Sequence, residues 1–216
     1  MTSVQACSHD FNAPFEDFLA AAASGSHVPG GGSIAAAAGA LGAAMGSMVA
    51  NLTLGKKGYE ERRPEAEAMA GAFREGMEDF RRLAAADMEA FDAVMRARRI
   101  RGTGPSETEA RSLAVRSAMR QAVTAPLEIA RKAADLLDLN RRLAAFGNAG
   151  AVNDCGVGAV LLEAVVRAAM LSVDVNLPSL DDGELLAEVK ARKAEILART
   201  GGVMEETMSL VETRRR

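Results

Sequence analysis

Residues 29–54 read PGGGSIAAAAGALGAAMGSMVANLTL, and this stretch decides the fold class. Pro29 and three glycines form a loop, and the residues after them are mostly alanine, leucine and methionine, which favour helix over strand. From Phe18 to Gly55 the chain has no Asp, Glu, Lys or Arg. The pattern predicts a helix over about residues 32–54, buried in a protein core or a subunit interface rather than spanning a membrane.

The composition extends this interpretation to the whole chain. Hydrophobic residues make up 49% of the 216 residues but aromatics only 4%, so the core must consist of small and aliphatic side chains. That composition predicts an all-α protein, an orthogonal or up-down bundle of about six to eight helices, and the length fits a single domain over residues 1–216. The net charge of −3 is scattered, without the basic stripe typical of nucleic-acid binding.

The chain ends and the cysteines indicate the compartment. Cys7 and Cys155 lie far apart and in no metal-binding spacing, which favours a reducing environment over a disulfide framework. Acidic residues near the N-terminus do not match a secretory signal. We therefore expect a cytoplasmic protein.

Glycine and proline divide the remaining sequence into further helices. Ser106, with Glu109 three residues later, fits a helix N-cap, and Pro126 predicts a kink or restart. Gly201–Gly202 is a weak point in the C-terminal helix. The expected helices cover about residues 14–23, 32–54, 59–98, 106–137, 152–175 and 181 to near the end.

Two carboxylates interrupt helical stripes of apolar residues. Asp87 lies on a three-four stripe of the 59–98 helix, where burial would raise its pKa and suit a general acid or base. A structural Asp satisfied by an arginine or a helix N-terminus explains the spacing equally well. Asp154 lies on a second stripe, in the first turn of its helix, where capping is the simpler explanation. The stripes are Ala66, Ala70, Phe73, Met77, Phe80, Ala84, Asp87, Phe91, Val94 and Asp154, Val157, Leu161, Ala164, Ala168, Leu171, Val175.

The 32–54 helix has two stripes of its own. We expect the larger residues to form the core stripe and the small ones to allow close helix packing, with Asn51 at their end. Lys56 and Lys57 follow, and either hold a carboxylate or form a solvated turn. The two stripes are Ile34, Ala38, Leu41, Met45, Met48, Leu52 and Ser33, Ala37, Ala40, Ala44, Ser47, Asn51.

The glycine loop before this helix suits the close approach of a ligand. Because glycine has no side chain, its backbone amides can approach a bound group closely, and a helix N-terminus favours negative charge. The loop matches neither a Walker A nor a dinucleotide motif. His9 and His27 have no partners at metal-ligand spacing, so we expect no metal site.

As a set, the motifs resemble the formiminotransferase-cyclodeaminase C-terminal family, which includes bacterial methenyltetrahydrofolate cyclohydrolases. They occur in order along nearly the whole chain, so the set is specific although each motif singly is not. They are residues 29–36 PGGGSIAA, 46–53 GSMVANLT, 55–57 GKK, 87–91 DMEAF, 125–127 APL, 147–148 GN, 153–154 ND and 175–176 VN.

The resemblance implies an all-helical homodimer that binds tetrahydrofolate derivatives and uses no cofactor, metal, nucleic acid or membrane. It implies that Asp87 and Asp154 transfer protons and stabilise the cationic one-carbon bridge. The expected substrate-binding residues surround the pterin or hold the glutamate tail, the latter being the role of the two lysines. They are Pro29, Gly30, Gly31, Gly32, Ser33, Asn51, Lys56, Lys57, Phe91 and Asn148.

Three functions remain open from the sequence. The preferred one is methenyltetrahydrofolate cyclohydrolase, because the formiminotransferase domain that would make formiminofolate is not in this chain. The second is formimidoyltetrahydrofolate cyclodeaminase, which releases ammonia. The third is a non-catalytic helical dimer acting as a folate-binding or scaffold module.

Overall fold

The structure is a computed structural model that describes residues 14–102 and 104–215. Within these residues the chain forms seven α-helices, three short 3-10 turns and no strand, which confirms the all-α prediction. The α-helices are α1 Phe15–Ala23, α2 Gly31–Leu54, α3 Arg63–Arg98, α4 Pro105–Phe146, α5 Val152–Asn176, α6 Gly183–Thr200 and α7 Val203–Arg214. The 3-10 turns are Glu60–Arg62, Ala149–Ala151 and Leu177–Ser179.

Helices α2 to α5 form an up-down bundle. Each packs on its neighbour in the chain, and α5 returns to pack on α2, which closes the ring. Gly32 lies beside Asp87 while Gly46 lies beside Phe73, so α2 and α3 are antiparallel. Helices α6 and α7 pack on α4 and α5. The predicted single C-terminal helix is therefore two helices, divided at the Gly201–Gly202 pair.

The contact between α2 and α3 depends on three glycines spaced seven residues apart. A Cβ on Gly39 would lie 2.6 Å from the Phe80 ring, and one on Gly46 would overlap Phe73 in the same way. A Cβ on Gly32 would overlap the carboxylate of Asp87. Because both helices repeat every seven residues, the pairs 32/87, 39/80 and 46/73 form one continuous seam. The stripe that contains Asp87 faces this seam, as predicted.

The prediction for the faces of α2 is wrong. Its buried side carries the glycines, together with Ala36, Ala43 and Val49, whereas Ile34, Leu41 and Leu52 are 40%, 54% and 46% exposed. The physical reason is that α3 presents phenylalanine rings, and only a glycine face can approach them. Helical periodicity identifies a stripe but does not say which stripe a partner with large side chains requires.

The prediction for the stripe on α5 is also wrong. Asp154 is only partly buried, and Val157, Leu171 and Val175 point outward, while the core side of α5 carries other residues such as Leu162, which packs against Gly42 of α2. Since α2 and α5 are adjacent, their outward sides form one surface, here called the α2–α5 apolar face. Its large exposed residues are Ile34, Leu41, Leu52, Val157, Val160, Leu171 and Val175.

Two helices are long and apolar enough to cross a membrane by length and composition. They are Gly31–Leu54, with mean hydropathy 1.5, and Ala149–Ser179, with mean hydropathy 1.8. About half of each apolar segment is buried inside the chain, 56% and 50%. The remaining residues include the large exposed ones of the α2–α5 apolar face.

Helix α4 begins and ends at other residues than predicted. Its N-cap is Gly104 and Pro105 is its first residue, so Ser106 is not the cap. Pro105 is the better start because its missing N–H is not needed in the first turn and its φ is already helical. The helix continues through Pro126 without restarting. It ends at Phe146, just before Gly147, and not at Leu137 as predicted.

Candidate functional site

A cavity of about 390 Å³ opens at one end of the bundle, here called the Asp87 end. The N-terminus of α2, the last turns of α3 and the C-terminal part of α5 surround it. Five predicted site residues line it: Gly30, Gly31, Gly32, Asp87 and Phe91. The volume lies in the range typical of sites for small molecules.

Asp87 is held at the first turn of α2. Its Oδ2 accepts a hydrogen bond of 2.8 Å from the hydroxyl of Ser33, and the backbone N–H of Ser33 also donates to the carboxylate. Gly32 permits this approach because any Cβ there would overlap the carboxylate. The N-terminus of α2 thus provides hydrogen-bond donors for the Asp87 carboxylate. This is the structural role that the sequence left open for Asp87.

Burial nevertheless raises the pKa of Asp87 above its usual value, although the hydrogen bonds from Ser33 act in the opposite direction. The two alternatives from the sequence therefore do not exclude each other: a carboxylate oriented by a helix N-terminus also has the raised pKa of a general base. A cationic or protonated group in the cavity would meet a carboxylate with a fixed position.

His27 and Phe91 form the outer wall of the cavity. Their ring centroids lie 5.6 Å apart at an interplanar angle of 34°. The segment that carries His27 is tied to α1, because Ser24 Oγ donates to Ala21 O at 2.7 Å and accepts from the N–H of Ser26 at 3.1 Å. The sequence singled out His27 only by its nearness to the glycine loop, whereas the structure places it beside the same cavity as Asp87.

Asn176 is a cavity residue whose position the sequence did not predict. Pro126 has no N–H to donate to Ala122 O, the acceptor four residues earlier in α4. The amide Nδ2 of Asn176 donates to that oxygen instead, at 2.8 Å, and also to Ser172 O at 3.1 Å. The proline thus leaves a carbonyl that fixes an α5 amide at the cavity wall. A proline inside an otherwise helical sequence was the available signal.

The other predicted site residues lie elsewhere. Ser33 is fully buried behind the cavity, and Pro29 is buried in the loop. Asn51, Lys56, Lys57, Asn148 and Asp154 gather at the opposite end of the bundle, here called the Asp154 end. The 24 residues of α2 separate the two ends by roughly 35 Å at 1.5 Å per residue. One chain therefore does not bring Asp154 or the lysines to Asp87.

Asn148 has a clear structural role at the Asp154 end. Its side-chain Nδ2 donates to Leu52 O at 3.1 Å, and its backbone N–H donates to the Thr53 hydroxyl at 2.9 Å. The neighbouring Ala149 N–H donates to the Tyr59 hydroxyl at 3.1 Å. Asn51 Nδ2 donates to Ser47 Oγ of its own helix at 3.5 Å. These contacts join the α4–α5 connection to the end of α2.

No group of three or more His, Cys, Asp or Glu side chains that could hold a metal ion occurs within residues 14–102 and 104–215. The thiol of Cys155 is buried, and burial raises its pKa to about 12. A thiol with so high a pKa is protonated at neutral pH and is a poor nucleophile.

Similarity to known proteins agrees with this geometry. The family model of formiminotransferase-cyclodeaminase matches residues 14–195. The chain is 38% identical over 208 residues to methenyltetrahydrofolate cyclohydrolase of Methylorubrum extorquens, covering 94% of this chain and 98% of that protein. It is 32% identical to formimidoyltransferase-cyclodeaminase of Gallus gallus, over 93% of this chain but only 37% of that longer protein.

A solved structure is similar in fold. It is the formiminotetrahydrofolate cyclodeaminase of Thermotoga maritima, with a TM-score of 0.84 and 29% sequence identity. The alignment covers 94% of this chain and 97% of that one. The resemblance inferred from the motifs is confirmed, and the chain belongs to the formiminotransferase-cyclodeaminase family.

Proposed function

We propose that this protein is a methenyltetrahydrofolate cyclohydrolase, converting 5,10-methenyltetrahydrofolate and water to 10-formyltetrahydrofolate. The observation that carries the proposal is Asp87, a carboxylate of raised pKa oriented at the α2 N-terminus inside a ligand-sized cavity. The similarity over 98% of a relative named for this activity supports the same substrate.

The chemistry needs one base and a place for a cation. Asp87 accepts a proton as water adds to the carbon between N5 and N10, which gives a neutral tetrahedral adduct. The same carboxyl then donates that proton to N5 as the bond from this carbon to N5 breaks, leaving the formyl group on N10. As that bond breaks, the hydroxyl of the adduct loses its proton to solvent and becomes the formyl C=O, so the cationic substrate gives a neutral product and one proton. Before water adds, the ionised carboxylate stabilises the cationic bridge electrostatically.

The second candidate is formimidoyltetrahydrofolate cyclodeaminase. The fold similarity to the Thermotoga maritima enzyme favours it, and its reaction also passes through a tetrahedral carbon between N5 and N10. The same base can serve either reaction. The relative identities, 38% against 29%, favour the cyclohydrolase.

The two activities are distinguished by two assays on one preparation. We expect purified protein to remove the absorbance of the methenyl chromophore of 5,10-methenyltetrahydrofolate faster than the uncatalysed reaction. With 5-formiminotetrahydrofolate we expect little release of ammonia. Rapid ammonia release with a stable methenyl chromophore would establish the second candidate. Activity on neither substrate, with binding of an inert folate retained, would indicate the non-catalytic module instead.

A homodimer formed through the α2–α5 apolar face is part of the proposal. Helix α2 contributes no ionisable residue to this face, and large exposed side chains such as Leu41 need a partner surface. A second copy offers an equally apolar surface. We further propose a cytoplasmic enzyme that uses no cofactor and binds neither membranes nor nucleic acid.

The mass in solution tests the dimer. Leu41→Glu should convert a dimer to a monomer in light scattering, because it introduces a charge into the face. Leu113→Glu is the matched control, since Leu113 is 58% exposed on α4, outside this face. A monomeric wild type that co-sediments with lipid vesicles would show that a membrane covers the face instead.

A further inference from the structure

A second cavity adjoins the Asp87 cavity. It has a volume of about 510 Å³ and lies between the end of α3 and the first turns of α4. Arg98 and Ser179 line both cavities, so the two cavities meet at these residues. A ligand whose head lies beside Asp87 would reach the second cavity by passing these two side chains.

The second cavity is rich in positive charge. It contains three arginines, Arg98, Arg111 and Arg116, and one acid, Asp181. Arg116 pairs with Asp181 at 3.1 Å, and both side chains are more than half exposed. Within the residues that the structure describes, Arg98 and Arg111 have no recorded ion pair or hydrogen bond through their guanidinium groups. The cavity therefore retains unneutralised cations.

The position of Arg111 sets this group apart from ordinary surface charge. Arg98 is the last residue of α3, where the helix dipole favours a cation without any ligand. The helix dipole does not explain Arg111, because this residue lies near the N-terminal end of α4, where the dipole disfavours a cation. Arg111 is also only partly exposed. Arg131, another partly exposed arginine, is paired with Glu128 and Asp135.

We infer that the second cavity binds the glutamate tail of the folate substrate through Arg98 and Arg111, with Arg116 at the outer edge. The inference rests on the proposed function, because it takes the pterin to lie beside Asp87. Each glutamate of a tail carries a carboxylate, and guanidinium groups bind carboxylates in bidentate geometry. Lys56 and Lys57, the residues that the sequence suggested for this role, lie at the other end of the same chain.

The experiment compares 5,10-methenyltetrahydrofolate carrying one glutamate with the same compound carrying five. For the wild type we expect a lower KM for the pentaglutamate, and added salt should reduce the difference because it screens the charges. In Arg98→Gln/Arg111→Gln the KM for the pentaglutamate should rise about fivefold to tenfold, with a smaller rise for the monoglutamate. The effect should fall on KM more than on kcat.

Two further variants make the result specific. Arg74→Gln removes an exposed arginine of α3 outside both cavities and should change neither KM. Lys56→Gln/Lys57→Gln tests the competing assignment. If the lysine variant loses the preference for the pentaglutamate and the arginine variant keeps it, the inference is wrong and the lysines of another copy hold the tail.

A binding measurement separates this inference from the proposed function. The probe is 5-formyltetrahydrofolate with one or five glutamates, titrated by calorimetry. Tighter binding of the longer probe, lost in the arginine variant, supports the tail site even if turnover is slow. Equal binding of both probes overturns the tail site alone, whereas binding of neither overturns the proposed function as well.

Discussion

The two ends of the bundle are built from the same four helices, but they use polar residues differently. At the Asp87 end the carboxylate faces a cavity, and Asn176 lines the same cavity while its amide is bonded to α4. At the Asp154 end Asn148 and the Thr53 and Tyr59 hydroxyls are bonded across the connection between helices. A polar residue that bonds two helix ends stabilises the fold, whereas one held by a helix N-terminus beside open space is available for chemistry.

This difference shows why resemblance alone does not define a site. The family motifs cover both ends of α2, yet roughly 35 Å separates those ends within one chain. The residues of the two ends can serve one substrate only if a second copy brings its Asp154 end to the first copy's Asp87 end. The predictions that follow compare the two ends, beginning with the largest expected effect.

Asp87→Asn should reduce kcat by about 100-fold to 10,000-fold, the usual effect of removing a general acid or base, with little change in KM. Asp154→Asn is the matched variant at the other end, and we expect it to change kcat less than tenfold. Steady-state kinetics on the methenyl substrate measures both. Similar losses in the two variants would mean that both ends meet in one site across two copies.

Gly32→Ala should reduce kcat by about tenfold to 100-fold, because the new Cβ overlaps the carboxylate of Asp87 and displaces it. Overpacking at the seam should also cost about 1–3 kcal/mol of the free energy of unfolding. Gly71→Ala is the control, since a Cβ there meets nothing within 4 Å. The control should be as active as wild type and slightly more stable in urea denaturation.

Ser33→Ala should shift the pH dependence of kcat/KM to higher pH. Activity needs the ionised form of Asp87, so it rises as the pH passes through the pKa of that carboxyl. Burial already raises this pKa, and the Ser33 hydroxyl partly offsets the rise. Removing the hydroxyl raises the pKa further and moves the acidic limb of the profile upward. An unshifted limb would mean that another group controls the profile.

Asn148→Ala should lower the free energy of unfolding and leave kcat and KM unchanged. It removes the side-chain bond to Leu52 O and the cap on Gly150 N, which together should cost about 1–2 kcal/mol of the free energy of unfolding. Thermal unfolding and kinetics at a temperature well below the transition measure the two effects. A large rise in KM instead would restore Asn148 to the substrate-binding residues.

The sequence predicted the helices and the special position of Asp87 because both depend on local spacing. Capping, breakers and three-four periodicity act within a few residues, so α1, α2, α3 and α5 are found near their predicted bounds. The choice between faces of α2 could not be made this way. It depends on Phe73 and Phe80 of another helix, which require glycine opposite them.

The separation of the site residues could have been anticipated. Short connections make successive helices antiparallel, so the end of α2 meets the beginning of α3, far from Asp87. Counting residues along each helix therefore places Asn51 and Asp87 at opposite ends. The bond between Asn176 and Ala122 could not be predicted in the same way, because a freed carbonyl does not identify its donor.

The seven-residue spacing of the α2–α3 seam has a consequence for folding. A slip of α3 by one heptad could place Phe80 opposite Gly32 and Phe73 opposite Gly39, so the two phenylalanines alone would tolerate more than one alignment. In that alignment Asp87 would lie before the first residue of α2, and it would lose the hydrogen bonds from Ser33. Each lost hydrogen bond to a charged group would cost about 1.5–3 kcal/mol. The same residue that we propose for catalysis therefore also selects which alignment of the two helices the chain adopts, as single polar residues do in coiled coils.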